Sequence, residues 1–207
     1  MLKKLQLAFI ALCLPIAALA SEFVDGTHYE TIATPASETP KVTEFFSFYC
    51  PHCFRFEPIA KAIEANLPEG AVFEKSHVNF LRGLPAQTQS NLSYAYIVAK
   101  QADKEDVIAE KIFRAIHIEK NQLRDIKDVK ALLAVNGIAA EKFEAAVASM
   151  PVISAENNMQ KAQEKYSELG ALKGVPTFIV NDKYRIIMQG IESQAQLDEL
   201  IAYLLEK

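Results

Sequence analysis

The chain has 207 residues, enough for one sizeable core or for a core with an insertion. Half of the residues are hydrophobic and 23% are charged, a composition that excludes an intrinsically disordered chain. The 22 basic and 26 acidic residues give a net charge of −4, and no basic run is present, which argues against nucleic acid as a partner.

The N-terminus has the pattern of a secretory signal peptide. Lys3 and Lys4 precede an apolar run over residues 5–14, and residues 18–20, Ala-Leu-Ala, supply the small side chains that a signal peptidase selects. A transmembrane anchor is the alternative, but the apolar run is shorter than the ~20 residues that span a bilayer. We therefore predict that residues 1–20 are removed on export.

Removal of the signal changes the charge and the cysteine count. The net charge becomes −6, because two lysines leave and no acidic residue does, and Cys13 leaves with them. The mature chain keeps only Cys50 and Cys53, in a compartment where disulfides persist. A bridge across so short a loop adds little stability through chain entropy, so a chemical role explains this pair better than a structural one.

Two strands and a helix are predicted around the cysteine pair. Residues 39–49 are rich in β-branched and aromatic side chains, which predicts a buried strand leading directly into Cys50. A helix follows and ends around residues 68–70, with Pro58 inside it as a predicted kink. Residues 71–80 are a second strand candidate.

The pattern then changes to helical spacing. From about residue 87 to residue 169 the apolar residues recur at helical intervals without strand alternation. Gly137 and Gly170 each follow such a stretch, as glycines at helix C-termini do. The segment is predicted to be an all-helical insertion.

The C-terminal part returns to sheet. Residues 177–180 and 184–188 are predicted strands, and Asn-Asp-Lys at 181–183 indicates a hairpin between them. Ser193 and Gln196 have the spacing of a capping box that opens the last helix. Strands on both sides of the helical segment predict an α/β fold.

The Cys50-Pro51-His52-Cys53 motif has the features of a reactive thiol pair. Only a thiolate attacks or leaves in disulfide exchange, and a helix N-terminus at Cys50 would stabilise that anion. Cys53 lies one turn further on the same helix face, and Pro51 suits the first turn. His52 would stabilise the thiolate further. A lower thiol pKa favours the reduced form by about 1.4 kcal/mol per pH unit, or roughly 30 mV, so His52 favours an oxidase.

The residues around this motif resemble the DsbA family of periplasmic thiol:disulfide oxidases of Gram-negative bacteria. The resemblance covers essentially the whole mature chain and implies a thioredoxin-like fold with an inserted all-helical domain. Residues 21–79 and 164–207 would form the thioredoxin-like domain, and residues 80–163 the insertion. The segments that carry the resemblance are EFFSFYCPHC at 44–53, Phe56-Glu57, HVNF at 77–80 and Gly174-Val175-Pro176.

The resemblance assigns roles to four residues at the site. Cys50 would be the exposed thiol that forms a mixed disulfide with substrate, and Cys53 its buried partner in the Cys50–Cys53 disulfide. Pro176 matches the family's cis-proline loop, which faces the active site. Val175 before it would offer backbone groups to an extended substrate.

The resemblance also implies a buried charged pair beneath the motif. Glu44 and Lys75 match this pair, with Glu57 nearby, and such a pair would exchange protons and tune the thiols. A solvent-facing strand residue is the alternative for Glu44, although its aromatic neighbours disfavour full exposure. The chain departs from the best-known member of the family in having no tryptophan, with Tyr94 and Tyr96 in an equivalent helical region.

An inert local disulfide and half of a zinc site are the alternatives for the cysteine pair. Zinc would need two further Cys or His ligands, whereas His28, His77 and His117 are scattered along the chain. We expect no metal and no cofactor, and His77 to be a structural histidine in a strand.

The expected function is donation of the disulfide to newly exported proteins by dithiol–disulfide exchange. The resemblance implies reoxidation by a quinone-linked membrane partner of the DsbB type, and we expect a monomer. Two alternatives stay open: a disulfide reductase or isomerase on the same fold, and a non-catalytic peptide-binding module.

Overall fold

The computed structural model describes residues 23–207. The predicted signal peptide and Cys13 lie outside these residues. Within the described range, none of the helices combines the length and the apolar character needed to cross a membrane.

Among residues 23–207, five strands form one mixed sheet in the order β1-β5-β4-β2-β3. β2 runs parallel to β3, and the other neighbouring strands pair antiparallel. Because β2 lies beside β4, the end of β2 is brought close to the chain that enters β4. The strands are β1 (Tyr29–Thr31), β2 (Lys41–Phe46), β3 (Val72–His77), β4 (Thr177–Val180) and β5 (Tyr184–Ile186).

The predicted strands are shorter in the structure, and β1 was not predicted. β2 ends at Phe46 rather than at Tyr49, because the next residues leave the sheet to make other hydrogen bonds. The N–H of Phe48 donates to Nε2 of His77 at 3.2 Å, and the N–H of Cys50 donates to the carbonyl of Ser47 at 3.0 Å. The motif therefore follows a turn and does not continue a strand directly.

Seven α-helices complete the fold of the part of the chain that the structure describes. The helical spacing predicted for residues 87–169 is confirmed, since this segment contains five helices, α2 to α6. The division into domains stays a prediction, and α6 continues across its boundary at residues 163 and 164. The helices are α1 (Pro51–Asn66), α2 (Ala86–Lys100), α3 (Glu105–His117), α4 (Ile126–Val135), α5 (Ala140–Val147), α6 (Met150–Glu168) and α7 (Gln194–Glu206).

Local signals placed several of these ends correctly. Gly137 follows α4 with φ +84° and Gly170 follows α6 with φ +70°, the left-handed backbone that favours glycine. The β4–β5 hairpin is confirmed, and Asn181 and Asp182 at its tip have φ of +49° and +59°. Its second strand stops at Ile186, because a 3₁₀ turn occupies Met188–Gly190.

One of the two hydrogen bonds of the predicted capping box is present at the start of α7. The hydroxyl of Ser193 accepts a hydrogen bond from the N–H of Gln196 at 3.2 Å. The side chain of Gln196 accepts from the N–H of Glu192 instead of from that of Ser193. Pro58 lies inside α1, as predicted.

The two cysteines of the motif belong to the largest of three hydrophobic clusters that the described residues form. This cluster joins the end of β2 and the start of α1 to the helical segment, so Phe46, Phe48 and both cysteines pack with residues of α2 to α5. A second cluster lies between the sheet and helices α1 and α7, and a third includes Phe45. The motif is thus held where sheet and helical segment meet.

Candidate active site

Cys50 is the N-cap residue of α1. Its backbone is extended, with φ −89° and ψ +114°, and Pro51 occupies the first helical position. The Sγ atom of Cys50 accepts a hydrogen bond from the N–H of Cys53 at 3.2 Å. This is the bond that a serine or aspartate oxygen makes at an ordinary N-cap, with sulfur in place of oxygen.

The surroundings of the two thiols move their pKa values in opposite directions. The Cys53 thiol donates to Cys50, and together with the N–H groups of Cys53 and His52 and the charge of His52 it lowers the pKa of Cys50 to about 6 against the opposing effect of burial. Burial, followed by the hydrogen bond with Cys50, raises the pKa of Cys53 far above that of a free thiol. Cys50 is therefore the anion of the reduced pair and Cys53 the neutral thiol.

The expectation that Cys50 is an exposed thiol needs correction. The residue is only 6% exposed and Cys53 is fully buried. Cys50 is covered because the chain before β4 crosses it, with its thiol 3.4 Å from the carbonyl oxygen of Val175. It opens to solvent through a cavity of about 520 Å³.

His52 is exposed on the first turn of α1. Its Nδ1 atom lies 3.0 Å from the guanidinium of Arg55, one turn further along the helix. The N–H of His52 is also one of the backbone groups that stabilise the Cys50 thiolate.

Pro176 lies beside the motif, in the loop that leads into β4. The Val175–Pro176 peptide bond is cis, as the resemblance implied. The hydroxyl of Thr177 donates to the carbonyl of Gly174 at 2.8 Å, which closes the loop on itself. The Val175 carbonyl is thereby turned towards the Cys50 thiol.

Glu44, Lys75 and Glu57 form one charged group, in which Glu44 is buried and the other two residues are half-buried. The Nζ atom of Lys75 lies 3.0 Å from Glu44 and 2.6 Å from Glu57, and the Glu44 side chain is fully buried. Lys75 gives Glu44 an ion pair but no well-aligned hydrogen bond, so both Glu44 oxygens lack a hydrogen-bond partner among the described residues. The three residues that the resemblance grouped are thus in contact.

Within this group, Glu44 is the residue whose charge changes near neutral pH. Burial raises its pKa to about 7, although Lys75 acts in the opposite direction. The pKa of Lys75 is raised because the two carboxylates outweigh its burial. Glu44 also contributes to the raised pKa of Cys53, which shows that its charge reaches the buried thiol.

His77 is a structural histidine, as predicted. It is fully buried, accepts the N–H of Phe48 at Nε2 and contacts the hydroxyl of Ser93 through Nδ1 at 2.8 Å. Burial lowers its pKa to about 3, so the ring is neutral. It fixes the turn that separates β2 from the motif.

His117 was not predicted to lie near the site. Its Nε2 atom is 2.8 Å from the carbonyl oxygen of Phe48, and its ring stacks on Phe54 with centroids 5.2 Å apart. It supports the segment on either side of the motif from the last turn of α3. Nothing in the sequence near His117 signals this, because the contact joins residues 69 positions apart.

Metal binding has no support among the described residues, where no group of three His, Cys, Asp or Glu side chains is placed to hold an ion. The two sulfurs instead interact directly with one another. This arrangement can exchange a disulfide with an incoming thiol.

Comparison with known proteins gives one consistent result. The family model of the DSBA-like thioredoxin domain matches residues 41–202. The chain is 35% identical to the thiol:disulfide interchange protein DsbA of Pectobacterium carotovorum, and 34% identical to that of Escherichia coli K12. Both alignments run over 216 residues and cover 100% of each chain.

Solved structures agree with the sequence comparison. The disulfide oxidoreductase DsbA of Proteus mirabilis matches with a TM-score of 0.76 at 27% identity, over 90% of this chain and 98% of that one. A variant of the same protein, in complex with the non-covalently bound peptide PWATCDS, matches with a TM-score of 0.79 at 26% identity, over 90% of this chain and 100% of that one.

Proposed function

This chain belongs to the family of DSBA-like thioredoxin domains and is a thiol–disulfide oxidoreductase, and from this we propose that it works as an oxidase that donates its Cys50–Cys53 disulfide to newly exported proteins. The observation that supports this direction is the lowered pKa of Cys50. A stabilised thiolate favours the reduced enzyme, so the oxidised enzyme readily gives up its disulfide.

The exchange begins when a substrate thiolate attacks Sγ of Cys50. The Cys50–Cys53 bond breaks, Cys53 leaves with the bonding electrons, and a mixed disulfide joins the substrate to Cys50. The second thiolate of the substrate then attacks the substrate sulfur of the mixed disulfide. This forms the substrate disulfide and releases Cys50 as a thiolate. Two electrons pass from the substrate thiols to the enzyme. Pro51 occupies the first position of α1, and His52 stabilises the released Cys50 thiolate.

The leaving Cys53 sulfur needs a proton, because burial strongly disfavours its anion. Glu44 is the buried group that can supply it, since its pKa of about 7 lets it hold a proton near neutral pH. Burial raises that pKa most, while Lys75 lowers it and Glu57 raises it further. We assign Glu44, Lys75 and Glu57 as positioning residues for this proton.

Substrate is proposed to bind along the Val175–Pro176 loop. The Val175 carbonyl that contacts the Cys50 thiol is available to an extended chain once that thiol has been oxidised. The solved relative that holds the peptide PWATCDS binds a segment with a cysteine in it. We propose that this chain also binds cysteine-containing segments of unfolded or reduced proteins.

Location and partners follow as further parts of the proposal. Residues 1–20 would direct the chain to the periplasm of a Gram-negative cell and be cleaved there. A quinone-linked membrane oxidase of the DsbB type would reoxidise the enzyme, which would act as a monomer, without nucleic acid. Residues 80–163 would form a helical domain inserted into the thioredoxin-like domain. N-terminal sequencing of the exported protein should begin at Ser21, and retention of Met1 would contradict cleavage.

The redox potential tests the direction of the reaction. We expect equilibration with glutathione to give a potential well above about −200 mV, with the wild type oxidising a reduced two-cysteine peptide and Cys50→Ser inactive. A potential near about −270 mV would make the protein a reductase. Full activity of Cys50→Ser in a folding assay would instead support a non-catalytic peptide-binding module.

A further inference from the structure

A charged cavity adjoins the reacting sulfur. It is about 520 Å³ in volume and forms where the loop after β3 faces the loop before β4, with Cys50 in its wall. Apolar side chains of Phe80, Leu81 and Leu172 line it, and Phe80 is 38% exposed. Such a surface accepts the backbone and aliphatic stems of an extended chain.

The charges in this lining all have one sign. Arg82 belongs to the loop after β3 and Lys173 to the loop before β4, so the two cations lie on the two sides of the cavity. None of the described residues that line the cavity is acidic.

Neither cation is neutralised within the described part of the chain. Arg82 and Lys173 are exposed and form no ion pair or hydrogen bond there. Other basic residues contact carboxylates, as Lys41 does with Glu74 and Asp182. The two charges beside Cys50 are therefore available to a ligand.

We propose that this cavity is the subsite for the substrate segment next to the reacting cysteine, and that Arg82 and Lys173 make it select an acidic side chain there. The inference rests on the proposed function and names its substrate class: reduced polypeptides with Asp or Glu within a few residues of a cysteine. Opposite charges across an interface set specificity and speed of encounter more than total affinity.

The size of the preference follows from the exposure of both cations. An exposed ion pair contributes little, which corresponds to a rate ratio of about 1.7-fold to threefold for each cation at low salt. Both together give about threefold to tenfold. Screening by salt reduces the ratio towards one as the ionic strength rises.

The test uses two-cysteine peptides that differ at one position. Asp or Asn is placed at each of the three positions on either side of the first cysteine, and the oxidised enzyme is mixed with each peptide. Acid quenching and chromatography then give the second-order rate constant for formation of the peptide disulfide. We expect the Asp peptide to react faster than its Asn partner by about threefold to tenfold at one or more positions.

Variants assign the preference to the two cations. In the double variant Arg82→Gln with Lys173→Gln the Asp/Asn ratio should fall to about one, and in the double variant Arg82→Glu with Lys173→Glu it should invert. Lys142→Gln, on α5 and outside the cavity lining, should keep the wild-type ratio. Comparing ratios between proteins cancels the intrinsic reactivity of each peptide.

A second readout separates selection from a general effect on the thiol. If the two cations acted only through the Cys50 thiolate, the double variant would slow the Asp and Asn peptides equally and raise the pKa of Cys50. An unchanged ratio in the double variant, or equal rates at every position in the wild type, overturns the subsite. Failure of the wild type to oxidise any peptide would overturn the proposed function itself.

Discussion

The ammonium nitrogen of Lys75 lies 3.0 Å from a carboxylate oxygen of Glu44, and no part of the Glu44 side chain reaches solvent. The same nitrogen lies 2.6 Å from Glu57. One cation thus faces two carboxylates, and the more deeply buried carboxylate has its pKa raised from 4.5 to about 7. Glu44 can therefore change its charge near neutral pH.

Glu44 should make folding less favourable as the pH rises. Between pH 4.5 and about 7 the native carboxyl holds a proton that the unfolded chain has released, so the free energy of unfolding falls through this window. Replacing Glu44 by Gln removes this loss. From about pH 5 to about pH 8, urea unfolding of the oxidised proteins should show the stability of Glu44→Gln rising relative to wild type by about 1–3 kcal/mol.

Glu57→Gln is the matched control, because Glu57 contacts the same lysine from a less buried position. It should show a smaller change between the two pH values. A difference between Glu44→Gln and wild type that does not vary with pH would contradict a raised pKa for Glu44.

The Cys50 thiol should ionise well below the pH at which a free thiol does. Thiolate absorbance of the reduced protein should rise with a midpoint near pH 6, and Cys53 should not contribute because its pKa is raised. Cys50→Ser should abolish this transition. His52→Ala should move the midpoint upward by about 0.5–1 pH unit, since the histidine charge is lost and the backbone donors stay. A wild-type midpoint near pH 9 would disprove the stabilised thiolate.

The reduced protein should gain stability over the oxidised protein as the pH rises. The native Cys50 pKa of about 6 lies below its ordinary value of 9, so this contribution is complete above pH 9 and is lost as the pH falls through about 6. At about pH 7 it amounts to roughly 1–2 kcal/mol. Thermal unfolding of both redox forms between about pH 5 and about pH 9 measures the difference. Cys50→Ser cannot form the disulfide, and its stability should not rise with pH relative to that of the oxidised wild type.

His77 should destabilise the protein in mild acid. Its native pKa is lowered to about 3, whereas an unfolded histidine binds a proton near 6.5, so stability is lost as the pH falls through that value. At about pH 5 the loss is roughly 2 kcal/mol. His77→Gln should be less stable at about pH 7.5, since its amide replaces the ring imperfectly, but should lose less on acidification. Equal acid sensitivity of variant and wild type would contradict this assignment.

Local chemistry explains what was predictable from the sequence. Cys50 at the start of a helix, Gly137 after α4 and the turn at Asn181 each depend on neighbouring residues, and all three lie where the pattern placed them. The helical segment was predictable because apolar spacing reports directly on helix burial.

Contacts between distant residues explain the rest. The sequence Ser47-Phe48-Tyr49 suits a strand, yet β2 ends before it because Phe48 bonds His77, 29 residues away. The burial of Cys50 depends on Val175, and the support from His117 on a contact across 69 residues. Local sequence patterns do not report contacts between residues so far apart in the chain. The cysteine motif was therefore predictable, whereas the burial of Cys50 was not.

The segment that covers Cys50 is synthesised after Cys50 itself. Val175 follows Cys50 by 125 residues, which at about 5 to 20 residues per second take roughly 6 to 25 s to synthesise. During that interval the nascent chain has both cysteines but neither β4 nor the loop before it. The reactive pair is therefore made before the segment that restricts what can reach it, and the enzyme becomes selective only when its C-terminal strands exist.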